Sequence, residues 1–244
     1  MNPEQRLSPE ELGTLDHFHT GGLRASREVM ELAQIRGKDR VLDIGAGLAG
    51  PARMLVSKLG CRVDCIEMSS DFCAGAALLN RLTGLDDRIE VHKGTALDMP
   101  YADHSFDVVW MQNVGMNIAD KRKFYAQIYR VLDSGGRFAF QELAAGKAVT
   151  SYFPLPWATD PADSFLASVE EMRTLLGETG FIVERFEDVS DAQLSAAPAH
   201  ATPDAPDVLS LAVYVDNLAQ KLANSRRSLE ESQIRLVRGV FRVK

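Results

Sequence analysis

The stretch Val41-Leu42-Asp43-Ile44-Gly45-Ala46-Gly47-Leu48-Ala49-Gly50 sets three glycines directly behind a short apolar run. A run of that length, followed at once by a turn, reads as a buried strand over residues 40–43. Glycines at this spacing let the backbone pass close to a ligand and turn sharply into a helix. Pro51 suits the first turn of that helix, and Ala52, Leu55, Val56 and Leu59 recur on one helical face.

The alternation continues downstream. A second strand is expected over 62–67, a helix over about 70–83, and a third strand around Ile89 and Val91. A fourth strand covers 106–110. Phe124, Ile128, Val131 and Leu132 mark a helix that stops before Gly135-Gly136, and a fifth strand covers 137–142. Strands alternating with helices in this way predict an α/β fold, a mostly parallel Rossmann-like sheet with helices on both faces.

The flanks depart from that rhythm. Residues 7–36 read as helical with a break at Thr20-Gly21-Gly22, so residues 1–36 form an N-terminal cap on a core at 37–142. Residues 143–167 lose all helical period. They carry Pro154, Pro156 and Pro161 with the aromatics Tyr152, Phe153, Trp157 and Phe165, which predicts a packed lid. In the C-terminal part, 168–244, Ser168-Val-Glu-Glu171 is a capping box opening a helix that ends at Gly180, and 181–189 reads as a strand. Pro198, Pro203 and Pro206 suggest a linker. Val208, Leu211, Val215, Leu218 and Leu222 then share a helical face, and 234–243 closes the chain as a strand. With no internal repeat, the whole chain, 1–244, reads as a single domain.

Composition narrows the function classes. The 244 residues are 45% hydrophobic and 25% charged, an ordinary globular balance. Lys plus Arg number 27 against 34 Asp plus Glu, a formal charge of −7, which argues against nucleic acid as a partner. No apolar run is long enough for a membrane span and the first residues lack a signal-type apolar stretch, so a cytoplasmic location without membrane attachment is expected. Cys61 and Cys65 lie roughly 13 Å apart if extended at about 3.3 Å per residue, too far for a disulfide, and Cys73 falls in the next helix. With neither a CxxC pair nor a His-rich cluster, no metal site is expected.

Two acids give the glycine loop its chemistry. Glu67 ends the second strand, 20 residues past Gly47, where a carboxylate can accept from two ribose hydroxyls. Asp43 sits inside the loop, just before its first glycine. It would repel a pyrophosphate and attract a cationic amino-acid moiety, which favours S-adenosylmethionine over NAD; an NAD-dependent oxidoreductase remains the rival reading.

These residues resemble the first motif of the class I S-adenosylmethionine-dependent methyltransferases. The similarity continues through Cys65-Ile-Glu67-Met-Ser, Gly94-Thr-Ala-Leu-Asp98-Met-Pro-Tyr101, Ser105-Phe-Asp107-Val-Val-Trp110 and Arg130-Val-Leu-Asp-Ser-Gly-Gly136-Arg-Phe. The small-molecule branch is most similar, with its glycine, sarcosine and dimethylglycine N-methyltransferases and its tocopherol and sterol methyltransferases. The resemblance implies seven strands with the last antiparallel. It also implies that Glu67 holds the ribose, that Met68 packs on the adenine, and that the Gly45-Ala46-Gly47 backbone and Asp43 carry the methionine portion. Ala96 would offer its amide to the adenine. The family's adenine-contacting Asp is replaced here by Thr95, with Asp98 as the alternative.

The acceptor is expected beyond the fourth strand, where Gln112, Asn113 and Asn117 supply neutral donors and acceptors next to the methyl-transfer position. Gln112 is assigned to the cofactor. Asn113 and Asn117 are assigned to the acceptor, or else to capping the next helix. His19, in the cap's His17-Phe-His19-Thr-Gly-Gly22 segment, is a candidate base or orienting group, with Arg24 and Trp157 as acceptor contacts. The expected reaction is methyl transfer from S-adenosylmethionine, leaving S-adenosylhomocysteine, to a small uncharged or zwitterionic molecule. Without a strong base or a metal, N-methylation is favoured over O-methylation, and C-methylation and a homodimeric assembly stay open.

Overall fold

A computed structural model describes residues 6–149, 152–196 and 210–244. Seven strands form one sheet: β1 (Arg40–Ile44), β2 (Arg62–Glu67), β3 (Ile89–Lys93), β4 (Phe106–Gln112), β5 (Leu132–Ala145), β6 (Ile182–Asp188) and β7 (Ile234–Arg242). Their order is β3-β2-β1-β4-β5-β7-β6. Pairs among β1 to β5 are parallel, whereas β7 runs antiparallel to both β5 and β6. The order reverses between β1 and β4, and such a switch point opens a crevice beyond the carboxyl ends of those strands.

Successive residues of a strand face opposite sides, so β1 serves two cores. Leu42 and Ile44 join Val109, Phe124, Ile128, Phe140 and Leu176 on one side, under α5 (Lys121–Val131) and α6 (Val169–Thr179). Val41 joins Val63, Val108 and Trp110 on the other, against Val29, Ala52, Leu55 and Ala76 of α2 (Gly22–Ala33), α3 (Gly50–Leu59) and α4 (Ser70–Thr83). The Ser168 capping box is formed, with Glu171 returning the bond.

Several boundaries differ from the sequence expectation. Among its described residues the N-terminal cap holds only a short α1 (Gly13–Asp16) before α2, with a left-handed Gly21 between them. The helix α5 ends one residue early: Leu132 turns extended and pairs with Phe106, so β5 begins there and accommodates Gly135 and Gly136 in a register shift. At its other end β5 runs to Ala145, because residues 143–145 pair with β7, and the lid segment therefore starts at Gly146. Ser190–Ser195 adds a short helix, α7. The last helix, α8 (Leu218–Glu230), begins at Leu218 behind a left-handed Asn217, and Leu211–Val213 form a separate 3-10 turn. The linker prolines and Val208 lie outside the described residues. Cys61, Cys65 and Cys73 are free thiols. Among the described residues no helix is long and apolar enough to cross a membrane.

Candidate functional site

A cavity of about 1020 Å³ opens at the switch point, near the upper end for a single small ligand. The glycine loop forms one wall. Gly45 and Gly47 both take left-handed backbone angles (φ +66° and +53°), which side-chain-bearing residues rarely adopt. A Cβ at Gly45 would strike Val114, whereas a Cβ at Gly47 would meet only open space. The loop therefore presents bare backbone to the cavity.

Asp43 and Glu67 stand beside that loop. Asp43 is buried in register between Cys65 and Trp110, and its Oδ2 has no hydrogen-bond partner among the described residues. Burial, reinforced by the Glu67 carboxylate, pushes its carboxyl up to about 8. Glu67 is fixed at both oxygens: the Gly47 N–H donates to Oε2 at 3.0 Å and the Ser69 N–H to Oε1 at 2.8 Å. Each oxygen keeps a lone pair for a further donor. An orphaned buried carboxyl and a clamped carboxylate beside an open glycine loop fit a ligand carrying a cation at one end and paired hydroxyls at the other.

Ala96, Thr95 and Met68 also line the cavity, with Met68 74% exposed and free to cover a flat ring. Thr95 Oγ1 already accepts the Leu97 N–H at 3.2 Å, which holds the turn after β3. Asp98 does not line the cavity, so of the two candidates only Thr95 is placed to replace the missing acid.

The N-terminal cap closes the opposite wall through a buried polar triangle. Ser26 Oγ donates to Gln112 Oε1 at 2.9 Å and lies 2.9 Å from His19 Nε2, while Gln112 Nε2 lies 3.3 Å from His19 Nδ1. With the Ser26 proton given to Gln112, a His19 Nε2–H would donate to Ser26, while Nδ1 faces both the Gln112 amide and, at 3.5 Å, the Thr20 carbonyl. His19 is thus a buried, oriented ring, not a surface histidine. Asn113, at φ +55°, donates from Nδ2 to Thr20 Oγ1 at 3.1 Å, and its Oδ1 is buried without a partner among the described residues. Asn117 is exposed on the cavity wall. Neither asparagine caps α5, since Asp120 does so through the Lys123 N–H.

Arg24 stands at the edge of the cavity, beside the lining residue Gln193. Its guanidinium lies on the surface, bonded to Glu28 and Gln193 at 2.7 Å each, and does not line the cavity. Two residues apart on α2, Arg24 and Ser26 lie on nearly opposite sides of the helix, so Ser26 faces inward and Arg24 does not.

Supporting residues escaped the sequence reading. Arg53, fully buried on α3, donates to Asp16 Oδ2 and Asn80 Oδ1 at 2.7 Å each, and Asp16 Oδ1 pairs with His17 Nδ1 at 2.7 Å. This network ties the cap to the core. Glu142 accepts the N–H groups of Val114, Gly115 and Leu143 and so fixes the turn after β4; burial pushes its carboxyl up to about 7. Gln141 donates to the Thr20 carbonyl at 2.7 Å and accepts from Arg238. A charged residue inside the apolar α3 segment was the one available signal, because a buried charge must find a partner.

The lid and C-terminal helices complete the far end. Trp157 lines the cavity and anchors its Nε1–H on Ser164 Oγ at 2.9 Å. Around it a small apolar cluster of Met116, Leu143, Leu194, Leu229 and Ile234 forms the rest of that wall. Away from the cavity, strand pairing brings Asp64, Glu90 and His92 together, with ligand-type atoms within 4.8 Å of one another. The sequence reading had expected no such group; its His92–Asp64 and His92–Glu90 contacts, at 3.5 and 3.4 Å, are ion-pair geometry.

Comparison with known proteins matches the methyltransferase domain family over residues 42–140. Among curated relatives of the domain, a sarcosine/dimethylglycine N-methyltransferase of Halorhodospira halochloris is 37% identical over 123 residues, covering 48% of this chain and 44% of that protein. A sterol 24-C-methyltransferase of Eremothecium gossypii is 30% identical over 184 residues, covering 73% and 49%. The chain spans under half the length of either. A solved geranyl diphosphate C-methyltransferase from Streptomyces coelicolor shares the fold, with a TM-score of 0.72 at 15% identity over 90% of this chain and 78% of that one. The seven-stranded methyltransferase sheet expected from the sequence is therefore the fold observed.

Proposed function

We propose that the chain transfers the methyl group of S-adenosylmethionine to a small-molecule acceptor. The observation that carries this reading is the pair Asp43 and Glu67, one orphaned and one clamped, on either side of the bare glycine loop. Glu67 accepts from the two ribose hydroxyls, its orientation preset by Gly47 and Ser69. Asp43 faces the ammonium group, with the Gly45-Ala46-Gly47 backbone along the methionine chain. Met68 covers the adenine, with Thr95 and Ala96 at its edge, and Gln112 borders the sulfonium end.

The cofactor supplies a methyl group already activated on sulfur. What the chain adds is position and dryness: His19, Asn113 and Asn117 orient the acceptor in line, and the lid with Trp157 excludes water. The engagement of both His19 ring nitrogens with Ser26 and Gln112 supports a positioning role, exerted through Gln112 and the cap wall, over proton abstraction. A nitrogen nucleophile needs no such abstraction, which keeps N-methylation ahead of O-methylation; the relatives named above include both N- and C-methyltransferases.

The rival, a dinucleotide oxidoreductase, places a pyrophosphate at the glycine loop. A pyrophosphate beside Asp43 would hold that carboxyl in its neutral form, whereas a cation would draw it into the ionised form and be retained by it. Equilibrium binding separates the two: S-adenosylhomocysteine should bind and NADH should not. Transfer of labelled methyl from S-adenosylmethionine to a panel of amines, hydroxyls and alkenes then assigns the acceptor atom. Tight NADH binding without S-adenosylhomocysteine binding would overturn the proposal.

A further inference from the structure

The cavity has two chemically different halves. The half beside the glycine loop carries Asp43, Glu67 and backbone polar groups. The other half is walled by Met116, Leu143, Trp157, Leu194, Leu229 and Ile234, contributed by five separate parts of the fold: the turn after β4, the end of β5, the lid, α7 with α8, and the start of β7. These side chains form a hydrophobic cluster of their own, apart from the two main cores. A satellite cluster that borders empty space instead of closing on itself is an apolar binding surface.

The charges available there are few and committed. Among the described residues the one Lys or Arg that lines the cavity is Arg226, which is surface-exposed and paired with Glu230 at 2.8 Å. Arg24 lies outside. Asp120 is exposed and caps α5. A buried carboxylate is strongly disfavoured without a cation to receive it, and among the described residues this chamber offers only the solvent-exposed Arg226, already paired with Glu230.

We infer that the acceptor carries a bulky apolar body seated in this chamber and presents one nucleophilic atom to the methyl group, and that free amino acids of the glycine type are excluded. This rests on the methyl-transfer reading above and narrows it: of the uncharged and zwitterionic acceptors expected from the sequence, the zwitterionic ones are removed. The reacting group meets polar partners at Asn113 and Asn117; the remainder is recognised chiefly by shape and dehydration.

The test uses the full chain saturated with S-adenosylhomocysteine, so that the cofactor half is filled. The neutral fluorophore N-phenyl-1-naphthylamine serves as the apolar probe. It should bind saturably at one site, and 10 mM-scale sarcosine or dimethylglycine should leave that binding unchanged. Leu222→Arg and Leu194→Arg, at half-buried cavity positions, should each weaken the probe at least tenfold. Calorimetry should show S-adenosylhomocysteine binding to both variants within about threefold of the parent. In turnover, hydrophobic amines should exceed sarcosine by at least a hundredfold in kcat/KM. Displacement of the probe by sarcosine, or sarcosine as the better acceptor, or probe binding indifferent to both arginines, would overturn the inference while leaving the methyltransferase reading intact. Failure of the parent to bind S-adenosylhomocysteine would remove both.

Discussion

Replacing Asp43 by Asn removes a proton from the cofactor-binding equilibrium. Asp43 is buried, its Oδ2 is unpartnered, and desolvation with the nearby Glu67 carboxylate pushes its carboxyl up to about 8. At pH 7 such a group is about 90% protonated. The other groups acting on this wall are the Cys65 thiol, itself pushed far up by burial, and the Arg53 guanidinium already committed to Asp16. An ammonium group brought against Asp43 favours the ionised carboxylate, so binding should expel the proton. The parent should release about 0.9 proton per S-adenosylhomocysteine bound at pH 7, and affinity should rise by up to about tenfold per pH unit until it levels above pH 8. Calorimetry in buffers of different ionisation enthalpy reads the proton count directly. Only the bound amine's titration differs between the two proteins, and near pH 7 the ammonium form dominates, so the difference between parent and Asp43→Asn reports mainly the side chain. The same linkage acts on the free protein. A raised carboxyl pKa means the native state holds a proton that the unfolded chain has lost, so stability falls as pH rises from about 4 to 8. Asp43→Asn without ligand should therefore gain stability over the parent at pH 8 and gain none at pH 4. Equal proton release by parent and variant, or parent affinity that falls as pH rises, would refute the reasoning.

Other consequences follow from the same geometry. Glu67→Ala should weaken S-adenosylhomocysteine at least tenfold, since it removes two hydrogen bonds to a charged acceptor worth roughly 1.5–3 kcal/mol each; unchanged binding by calorimetry would withdraw the ribose assignment. His19→Ala should lower turnover about 5- to 150-fold, the loss of one orienting hydrogen-bond set of about 1–3 kcal/mol, while the pH profile of turnover keeps its shape; a lost ionisation in that profile would mark a base instead. Arg53→Ala strands the buried Asp16 carboxylate, and breaking a buried pair costs about 3–5 kcal/mol, so thermal or urea denaturation should show a large loss. A loss under 1 kcal/mol would mean that the cap is held by other contacts.

Much of this protein was legible in the order of its residues. Local rules sufficed for β2 at Arg62–Glu67, α4 at Ser70–Thr83 and the Ser168–Glu171 capping box, because apolar period, left-handed glycines and caps act within a few residues. The glycine loop with Asp43 and Glu67 was equally plain, since a strand, a sharp turn and an acid at the next strand's end are sequence-local features whose parallel pairing brings them together. Contacts between distant segments were not. His19 meets Gln112 across 93 residues and Arg53 meets Asp16 across 37, and nothing within a short window encodes such a partner. Arg24 and Ser26 look alike as polar positions on one helix; only the docking of α2 on the sheet turns Ser26 inward to His19 and Gln112 and Arg24 to water. The apolar chamber is the clearest case. Trp157 was expected at the acceptor, but Met116, Leu143, Leu194, Leu229 and Ile234 show nothing beyond apolar side chains in the sequence, because hydrophobicity specifies that a side chain leaves water but not whether the space it faces is filled by the protein or kept for a ligand. That was decided by how the lid, α7, α8 and β7 pack over the end of the sheet.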